Sequence, residues 1–517
     1  MARRPDPLTL SAAVLSAAIA ALVLGTAVLL AVHADRFSLR PADLAALWFT
    51  LQQAALSAGI SVLLAVPLAR ALARRVFPGR GLVVALMGAP FLLPVVVAVV
   101  GMLSVYGRNG PVNQLLVLVG LAPLSIFGLK GVVMTHVFFN LPLATRMLLN
   151  GWAAIPAERF RLAQTLGLPP SAIFRHIEAP MLRAVLPGAF VVVFLLCLTS
   201  FVVALILGGG PRATTLELAI YQALRFDFDL GRAALLAGLQ FLICALIVLG
   251  AGRLTLPASL GIGLDRMGRV PAPPGWRRPA DALLIALCLL FLALPMFRVL
   301  GDGLPYLADL PASVWQAALR SLMVAVLSAV LASLCGLTLA LAAAHQPGGA
   351  GRWIEVAAML PMAASGLVLG TGLLLALRPA TSPETLALPV TILVNTALAL
   401  PFLYRLLRPE AEALHQGYDR LCATLGLTGL ARLRYVTLPR LARPLGFGAG
   451  IAAALSMGDL GVIALFAGED TATLPLMVQR LAGAYRMDQA AAASLLLVGL
   501  SFALFLVCDL GGRRAAP

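Results

Sequence analysis

The sequence predicts an all-α membrane protein of twelve transmembrane helices, built as two parallel six-helix repeats. Three observations predict it. Of 517 residues, 61% are hydrophobic and 12% charged, and the mean hydropathy is +0.97. A water-soluble core of that length needs far more polar surface. Apolar runs of the roughly 20 residues that cross a bilayer recur along the chain. Finally, one polar segment occurs twice: Gly426 lies 259 residues after Gly167, and Pro439 lies 259 after Pro180. A period of half the length marks a duplicated membrane domain, not a solenoid of short repeats.

The first span, 8–32, follows Arg3 and Arg4. It exceeds the roughly 7–15 residues of a signal-peptide core and is read as retained. The remaining first-half spans are 48–72, 82–106, 126–149, 182–207 and 230–253. Those of the second half are 281–301, 316–344, 353–377, 387–407, 445–466 and 489–510. Lipid leaves no partner for free backbone groups and no barrel alternation is present, so the spans are helices. The first half is thus 1–253, with its core at about 48–253. A linker at 254–280 carries Pro271, Pro273, Pro274 and Gly275. The second half is 281–517, with its core at about 316–510. Each half starts and ends on the same side, so the repeats are parallel. Gln53-Ala-Ala-Leu56 and Gln316-Ala-Ala-Leu319 are read as matching starts of the second helix in each half. Small residues (Ser57, Ala58, Gly59, Ser61; Gly366, Gly370, Gly372) allow close helix approach. Pro67, Pro90, Pro94 and Pro361 predict kinks or breaks.

The net charge of +16 follows topology. Arg70, Arg74, Arg75, Arg80, Arg146, Arg159, Arg161, Arg175 and Arg183 fall on one side in the first half. The linker and the run from Arg405 to Arg443 continue the pattern. The opposite side has fewer: Arg36, Arg40, Arg108, Lys130, Arg212 and a handful more. This bias puts both termini in the cytoplasm and argues against nucleic acid as a partner. Five cysteines (Cys197, Cys244, Cys288, Cys335, Cys508) fall within spans and Cys422 in a loop, with no Cys-x-x-Cys pair. The five histidines show no His-x-x-x-His spacing. Neither disulfide nor metal is implied, and no cluster with catalytic spacing is present.

The repeated segment follows the fourth span of each half. Pro156 and Glu158 open a helix, with Phe160, Leu162, Ala163 and Leu166 at helical spacing. Gly167 fits a left-handed terminus. Ile173, Phe174 and Ile177 predict a second short helix that Pro180 ends. The other copy repeats this with Tyr418, Leu421, Leu425 and Gly426, then Leu430, Leu433 and Val436 before Pro439. A helix–Gly–helix hook with an apolar edge suits insertion into a partner's groove.

These paired loops resemble the E-A-A…G…L-P element of binding-protein-dependent ABC importer permeases. Longer stretches resemble the permeases of bacterial thiamine importers: Gly101 to Gly110, Thr135 to Pro142, Leu207 to Leu224, Leu455 to Val462, and Gly483 to Arg486. The resemblance covers essentially the whole chain. It implies the type I ABC importer permease fold, a place in the bacterial inner membrane, and coupling loops that dock on an ATP-binding subunit. Arg161, Leu162, Ala163, Leu166, Gly167 and Pro180 would form one loop. Arg420, Leu421, Cys422, Leu425, Gly426 and Pro439 would form the other. The chain departs from the family at Arg161 and Arg420, where Glu is usual, so an ion pair there would have reversed sign. Fused permeases for ferric iron or sulfate share this architecture and are the nearest alternatives. A secondary transporter is the more distant one, because Ala73 to Arg80 lacks the acid of its second-helix loop motif.

The chain lacks an engine. Lys130 is its only lysine and precedes Gly131, so no G-x-x-x-x-G-K-[ST] phosphate loop exists. No cofactor is therefore expected on this chain, and ATP with Mg belongs to two copies of a partner ATPase. Short outward loops imply a separate extracytoplasmic thiamine-binding protein. Asp459 lies inside a span, where a carboxylate costs about 2.5–3.5 kcal/mol on insertion scales. Its counterpart is Ser200. Two readings of Asp459 stand: a path residue for a cationic substrate, or a hydrogen bond to a broken helix. Glu217 and Tyr221, in the outward segment 208–229, fit a binding-protein contact, a re-entrant gate, or a structural role.

Overall fold

Prolines set many of the helix starts. Pro41, Pro111, Pro170, Pro383 and Pro475 each stand at the first or second helical position, where the missing N–H is no loss. The computed structural model describes residues 7–34, 39–87, 93–210, 213–251, 277–346, 348–379 and 381–516. The linker expected at 254–280 lies outside these residues except for 277–280, which open a helix. Pro90, Arg36 and Arg212 also lie outside them.

The first half comprises α1 (Pro7–His33), α2 (Pro41–Arg74), α3 (Arg80–Leu86), α4 (Val95–Tyr106), α5 (Pro111–Leu118) and α6 (Leu129–Ala153). It continues with α7 (Ala157–Thr165), α8 (Pro170–Ile173), α9 (Ala179–Leu198), α10 (Phe201–Leu207), α11 (Leu216–Arg225) and α12 (Leu230–Ala251). The second half comprises α13 (Arg277–Gly303), α14 (Ala312–His345), α15 (Gly349–Met359), α16 (Gly366–Leu377) and α17 (Pro383–Thr424). It ends with α18 (Gly429–Arg432), α19 (Leu438–Met457), α20 (Gly461–Phe466), α21 (Leu474–Gly483) and α22 (Met487–Ala515). Among the described residues, 11 helices are long and apolar enough to cross a membrane, or up to 12 if the pair around Ser365 is one span. That pair, Gly349–Ala363 and Gly366–Leu377, bends by 93°. The chain is a multi-pass, all-α membrane protein.

Pro361 does mark a break, in a 3-10 turn (Leu360–Ala363) before α16. Pro94 caps the start of α4. Pro67 sits inside an unbroken α2.

Packing interleaves the two sequence halves into two compact units. The smaller unit holds Arg40–Leu216 and Leu246–Asp302. In it, α13 is fixed to α2 through Asp281, which pairs with Arg74 at 2.8 Å and Arg75 at 2.7 Å. The α2 face toward α6 and α9 is small and polar. Gln53 donates to the Cys197 carbonyl at 2.9 Å, and Ser57 lies 3.2 Å from His136. The larger unit holds Met1–Leu39, Glu217–Ala245 and Gly303–Pro517. There α1 is tied in by Gln346, which donates to Thr9 at 2.9 Å. Its α19 and α22 approach so closely that a Cβ on Gly446 would meet the Gly512 Cα at 2.7 Å. Only glycine admits that contact.

The internal duplication changes register along the chain. Helices α4 and α16 are both 12 residues long, and Val95 and Gly366 start them 271 positions apart. Thr50 accepts the Leu216 N–H at 2.8 Å, and Ser321, again 271 on, accepts the Leu474 N–H at 2.8 Å. After α5, which has no counterpart among the described residues of the second half, the spacing falls to 259 at the hooks and to 258 between Leu216 and Leu474. The expected match of Gln53 with Gln316 is therefore out of register. Gln53 is fully buried whereas Gln316 is exposed.

Candidate functional site

Pro156 has no N–H to continue α6, so the chain breaks and restarts as α7 with Pro156 at its N-cap. Phe160 and Ala163 face inward, while Arg161, Leu162 and Leu166 face out. The helix ends at Gly167, φ +63. The Gly167 N–H donates to the Gln164 carbonyl at 3.0 Å and the Leu168 N–H to the Ala163 carbonyl at 3.0 Å. This Schellman closure needs a left-handed residue at its turn, the conformation in which glycine is unstrained. The root of the hook is pinned by Arg70. Its guanidinium lies 2.6 Å from the buried Glu178 carboxylate and 4.8 Å from the Phe174 ring centroid.

The second hook repeats the tip. Gly426 has φ +63, its N–H donates to the Ala423 carbonyl at 3.3 Å, and Leu427 donates to the Cys422 carbonyl at 2.9 Å. Leu421 and Leu425 are 52% and 62% exposed, against 60% and 63% for Leu162 and Leu166. Arg420 is exposed, and Cys422, like Ala163, is buried. The approach differs. His415 stands where Pro156 stood, and α17 runs unbroken for 42 residues from the membrane to the tip. Arg432 pairs with Asp419, His415 Nδ1 lies 2.6 Å from the same carboxylate, and Arg440 lies 4.7 Å from the Tyr418 ring centroid.

Pro180 and Pro439 do not end the second short helices, as the sequence suggests. A π turn (Phe174–Glu178, and Leu433–Thr437 in the other copy) carries α8 and α18 straight into α9 and α19. Widening the helix just before a proline relieves the clash with the preceding carbonyl and absorbs its missing N–H. Both prolines thus belong to the membrane helices.

Inside the larger unit, two carboxylates lie near broken helices. Asp459 is half-buried and accepts the backbone N–H groups of Gly461 and Val462 at the start of α20. That is the hydrogen-bonding alternative left open by the sequence. Its Oδ2 remains buried without a partner. Glu217, in the first turn of α11, is 0% exposed, and neither carboxylate oxygen makes an aligned hydrogen bond. Ser365, the N-cap of α16, lies within polar reach of it, and its hydroxyl accepts the Val368 N–H at 3.1 Å. A Cβ on Gly366 would meet Val462 at 3.3 Å, which places the start of α16 against α20. Glu217, Ser365 and Asp459 thus belong to one neighbourhood. Ser365 was not among the sequence candidates, although Pro361 and Gly366 bracket it. Ser200 caps α10 in the smaller unit and takes no part. Tyr221 packs edge-on against Phe226, centroids 5.8 Å apart.

A further pair escaped the sequence. Phe228 (φ +54) and Tyr485 (φ +59) are the two non-glycine residues with positive φ among the described residues, and they are 78% and 89% exposed. Each lies in the turn before the last helix of its half. An aromatic in that conformation carries strain of order 1–3 kcal/mol.

No protein-family model matches the chain. Among curated proteins it is similar to the thiamine transport system permease protein ThiP of Brucella abortus (strain 2308), 41% identical over 473 residues, covering 89% of this chain and 86% of that protein. The protein of the same name from Escherichia coli (strain K12) is 41% identical over 476 residues, covering 90% and 89%. The molybdenum transport system permease protein ModB of Azotobacter vinelandii is 31% identical over 178 residues, covering 34% of this chain and 78% of that protein.

Proposed function

This chain belongs to the thiamine transport system permease family, and on that premise we propose that it is the membrane-spanning subunit of an ATP-driven thiamine importer. It sits in the bacterial inner membrane with both termini in the cytoplasm. Two copies of an ATP-binding subunit drive it, and an extracytoplasmic binding protein delivers the substrate. The observation that carries the reading is the twin hook. Two loops from different sequence positions end on the same φ of +63 and present the same pair of exposed leucines. Exposed leucines on a polar loop favour a groove on another subunit. Arg161, Leu162, Leu166 and Gly167, with Arg420, Leu421, Leu425 and Gly426, make the docking face. Ala163 and Cys422 support it from beneath.

Charge favours a cation as cargo. Glu217 and Asp459 place unpartnered carboxylate oxygens in the larger unit. A cation beside a buried carboxylate restores the charge that burial alone disfavours, and thiamine is cationic. Intramembrane acids of this kind mark substrate routes. Glu217 is the stronger candidate, because the helix cap already accounts for half of Asp459. The exposed aromatics Phe228 and Tyr485 suit the binding protein, since the charge bias along the sequence puts the segment before the last helix of each half on the outward side.

The test is uptake in proteoliposomes containing the permease, the ATPase and the binding protein. Labelled thiamine accumulates on ATP addition, and Glu217→Gln lowers the rate at least tenfold while leaving subunit assembly intact. Ferric iron or molybdate transport in place of thiamine overturns the substrate. Equal uptake by Glu217→Gln overturns the path.

A further inference from the structure

At the root of the second hook the fold gathers three metal-ligating side chains. His345 ends α14, while His415 and Asp419 stand one turn apart on α17. One ligand atom from each lies within 4.8 Å of the others. The two imidazole centroids are 4.6 Å apart. We propose that His345, His415 and Asp419 form a binding site for a divalent transition metal of the zinc class, clamping the end of α14 to the base of the second hook.

Three details favour a metal over a simple helix-surface ion pair. His345 Nδ1 donates to the Leu341 carbonyl at 2.7 Å, which leaves Nε2 with its lone pair free. A backbone acceptor fixing the tautomer in this way is the usual outer partner of a metal-bound histidine. His415 Nδ1 is buried and lies 2.6 Å from Asp419 Oδ2 without an aligned hydrogen bond. A plain His–Asp pair at this spacing would align its N–H on the oxygen. The other Asp419 oxygen is held by Arg432, so the carboxylate is oriented from outside the site.

The donor set, two imidazoles and one carboxylate, selects Zn2+, Co2+ or Ni2+ over Mg2+ or Ca2+, which take oxygen ligands. It leaves a fourth position for water. Zinc bonds of about 2.0–2.1 Å place tetrahedral ligands about 3.3 Å apart. No ligand pair therefore has to close by more than about 1.5 Å on binding, within reach of side-chain rotation. The first hook has no counterpart: Phe160 and Ile173, both buried, stand where Asp419 and Arg432 stand in the second. The site rests on α14 and α17 alone, whatever the hook docks against.

The experiment uses the full-length permease in lipid nanodiscs, purified without a histidine tag. Co2+ is added while its visible absorption is followed, and Zn2+ is then titrated in competition. The expected result is one Co2+ per chain with tetrahedral-type bands that Zn2+ abolishes. His415→Gln, which keeps the helix, and His345→Ala should each weaken binding by at least the 10–100-fold that loss of an outer partner costs. His176→Ala, in the first hook, should leave it unchanged. Absence of the bands in the wild type, or equal affinity for the wild type and the His345→Ala/His415→Gln double variant, overturns the site. Each variant's melting temperature without metal is compared with wild type. A His345→Ala chain that melts early is set aside, and His415→Gln then decides.

Discussion

The first hook is cut from its membrane helix by Pro156 and pinned at its root by Arg70, whereas the second is the unbroken end of α17 and is held by Asp419 and Arg432. At the tips the two agree: the same closure, the same glycine conformation, the same outward leucines. The difference teaches which part of a duplicated element is constrained. Under the proposed function the tips dock on a partner, and that accounts for both copies presenting one shape. The root has only to hold that shape, and two unrelated sets of contacts do so. In the first, a nearly buried ion pair and a cation–π contact carry the load. In the second, helix continuity does most of it, and the ion pairs are about a third exposed on the acid side.

The largest expected effect separates the roots. Arg70→Met leaves the Glu178 carboxylate buried without its cation, and breaking such a pair costs about 3–5 kcal/mol. The value should fall toward the lower end, because Arg70 is 23% exposed. Asp419→Asn, in a more exposed pair, should cost less than about 1 kcal/mol. Thermal unfolding in nanodiscs, together with protease cleavage within each hook, measures both. Replacing Arg70 and Glu178 together by methionine should recover most of the loss. Equal effects at the two roots would erase the contrast.

Next comes the break itself. His415→Pro imposes on the second hook the interruption that the first one has, within a continuous helix, where proline costs about 3 kcal/mol. Pro156→His in the first hook should cost far less, since the chain there has already left the helix. Cleavage between Ala411 and Asp419 in His415→Pro, set against resistance in Pro156→His, is the expected pattern. If both variants resist cleavage, the continuity of α17 does not hold its hook.

The tips were legible in the sequence, and the roots were not. Gly167 and Gly426 announce a left-handed closure because few other residues adopt one cheaply, and the leucine spacing gave the outer face. The roots depend on residues brought together by the fold. Arg70 and Glu178 are 108 positions apart, and His345 lies on a different helix from His415. The four-residue spacing of His415 and Asp419 is the one part of that root written in the sequence, and nothing there set it apart from an ordinary helix-surface pair. The mistaken match of Gln53 with Gln316 has a similar origin. In spans made of alanine and leucine a four-residue identity carries little information, and α5 shifts the register where no motif marks it. The span count, 11 or up to 12 against the twelve expected, was legible because hydropathy is local. The 93° break in the ninth span was signalled by Pro361, but its consequence, a Ser365 cap beside the buried Glu217, was not.

A smaller effect tests the tips. A Cβ on Gly167 or Gly426 would meet nothing within 4 Å, so substitution acts only through φ. Asn adopts this conformation with least strain, Ala costs about 1 kcal/mol, and Val costs more because branching crowds the turn. Transport should therefore fall in the order Gly, Asn, Ala, Val, by the same factors at both hooks, with membrane insertion unchanged. A Val variant with normal uptake and normal co-purification of the ATPase would show that the closure is dispensable. Unequal factors at the two positions would show that only one hook couples.

The smallest expected effect concerns Arg161 and Arg420, exposed at matching places on the two tips, each six residues before its glycine. If the hooks dock as proposed, the groove that receives them offers an acid or a carbonyl at that point. An exposed pair contributes only about 0–1 kcal/mol, so each Arg→Glu change should weaken permease–ATPase binding a few-fold. If each hook docks independently of the other, the double variant should lose about the product of the two. The loss should be greatest at low salt, where screening is least, and should shrink as the Debye length falls to about 8 Å near 0.15 M. Binding measured in detergent across a salt series reads both features. Tighter binding by the double Glu variant would mean that the groove presents a cation there. The two arginines would then lie outside the contact in the wild type, leaving the leucine pairs to hold the hooks alone.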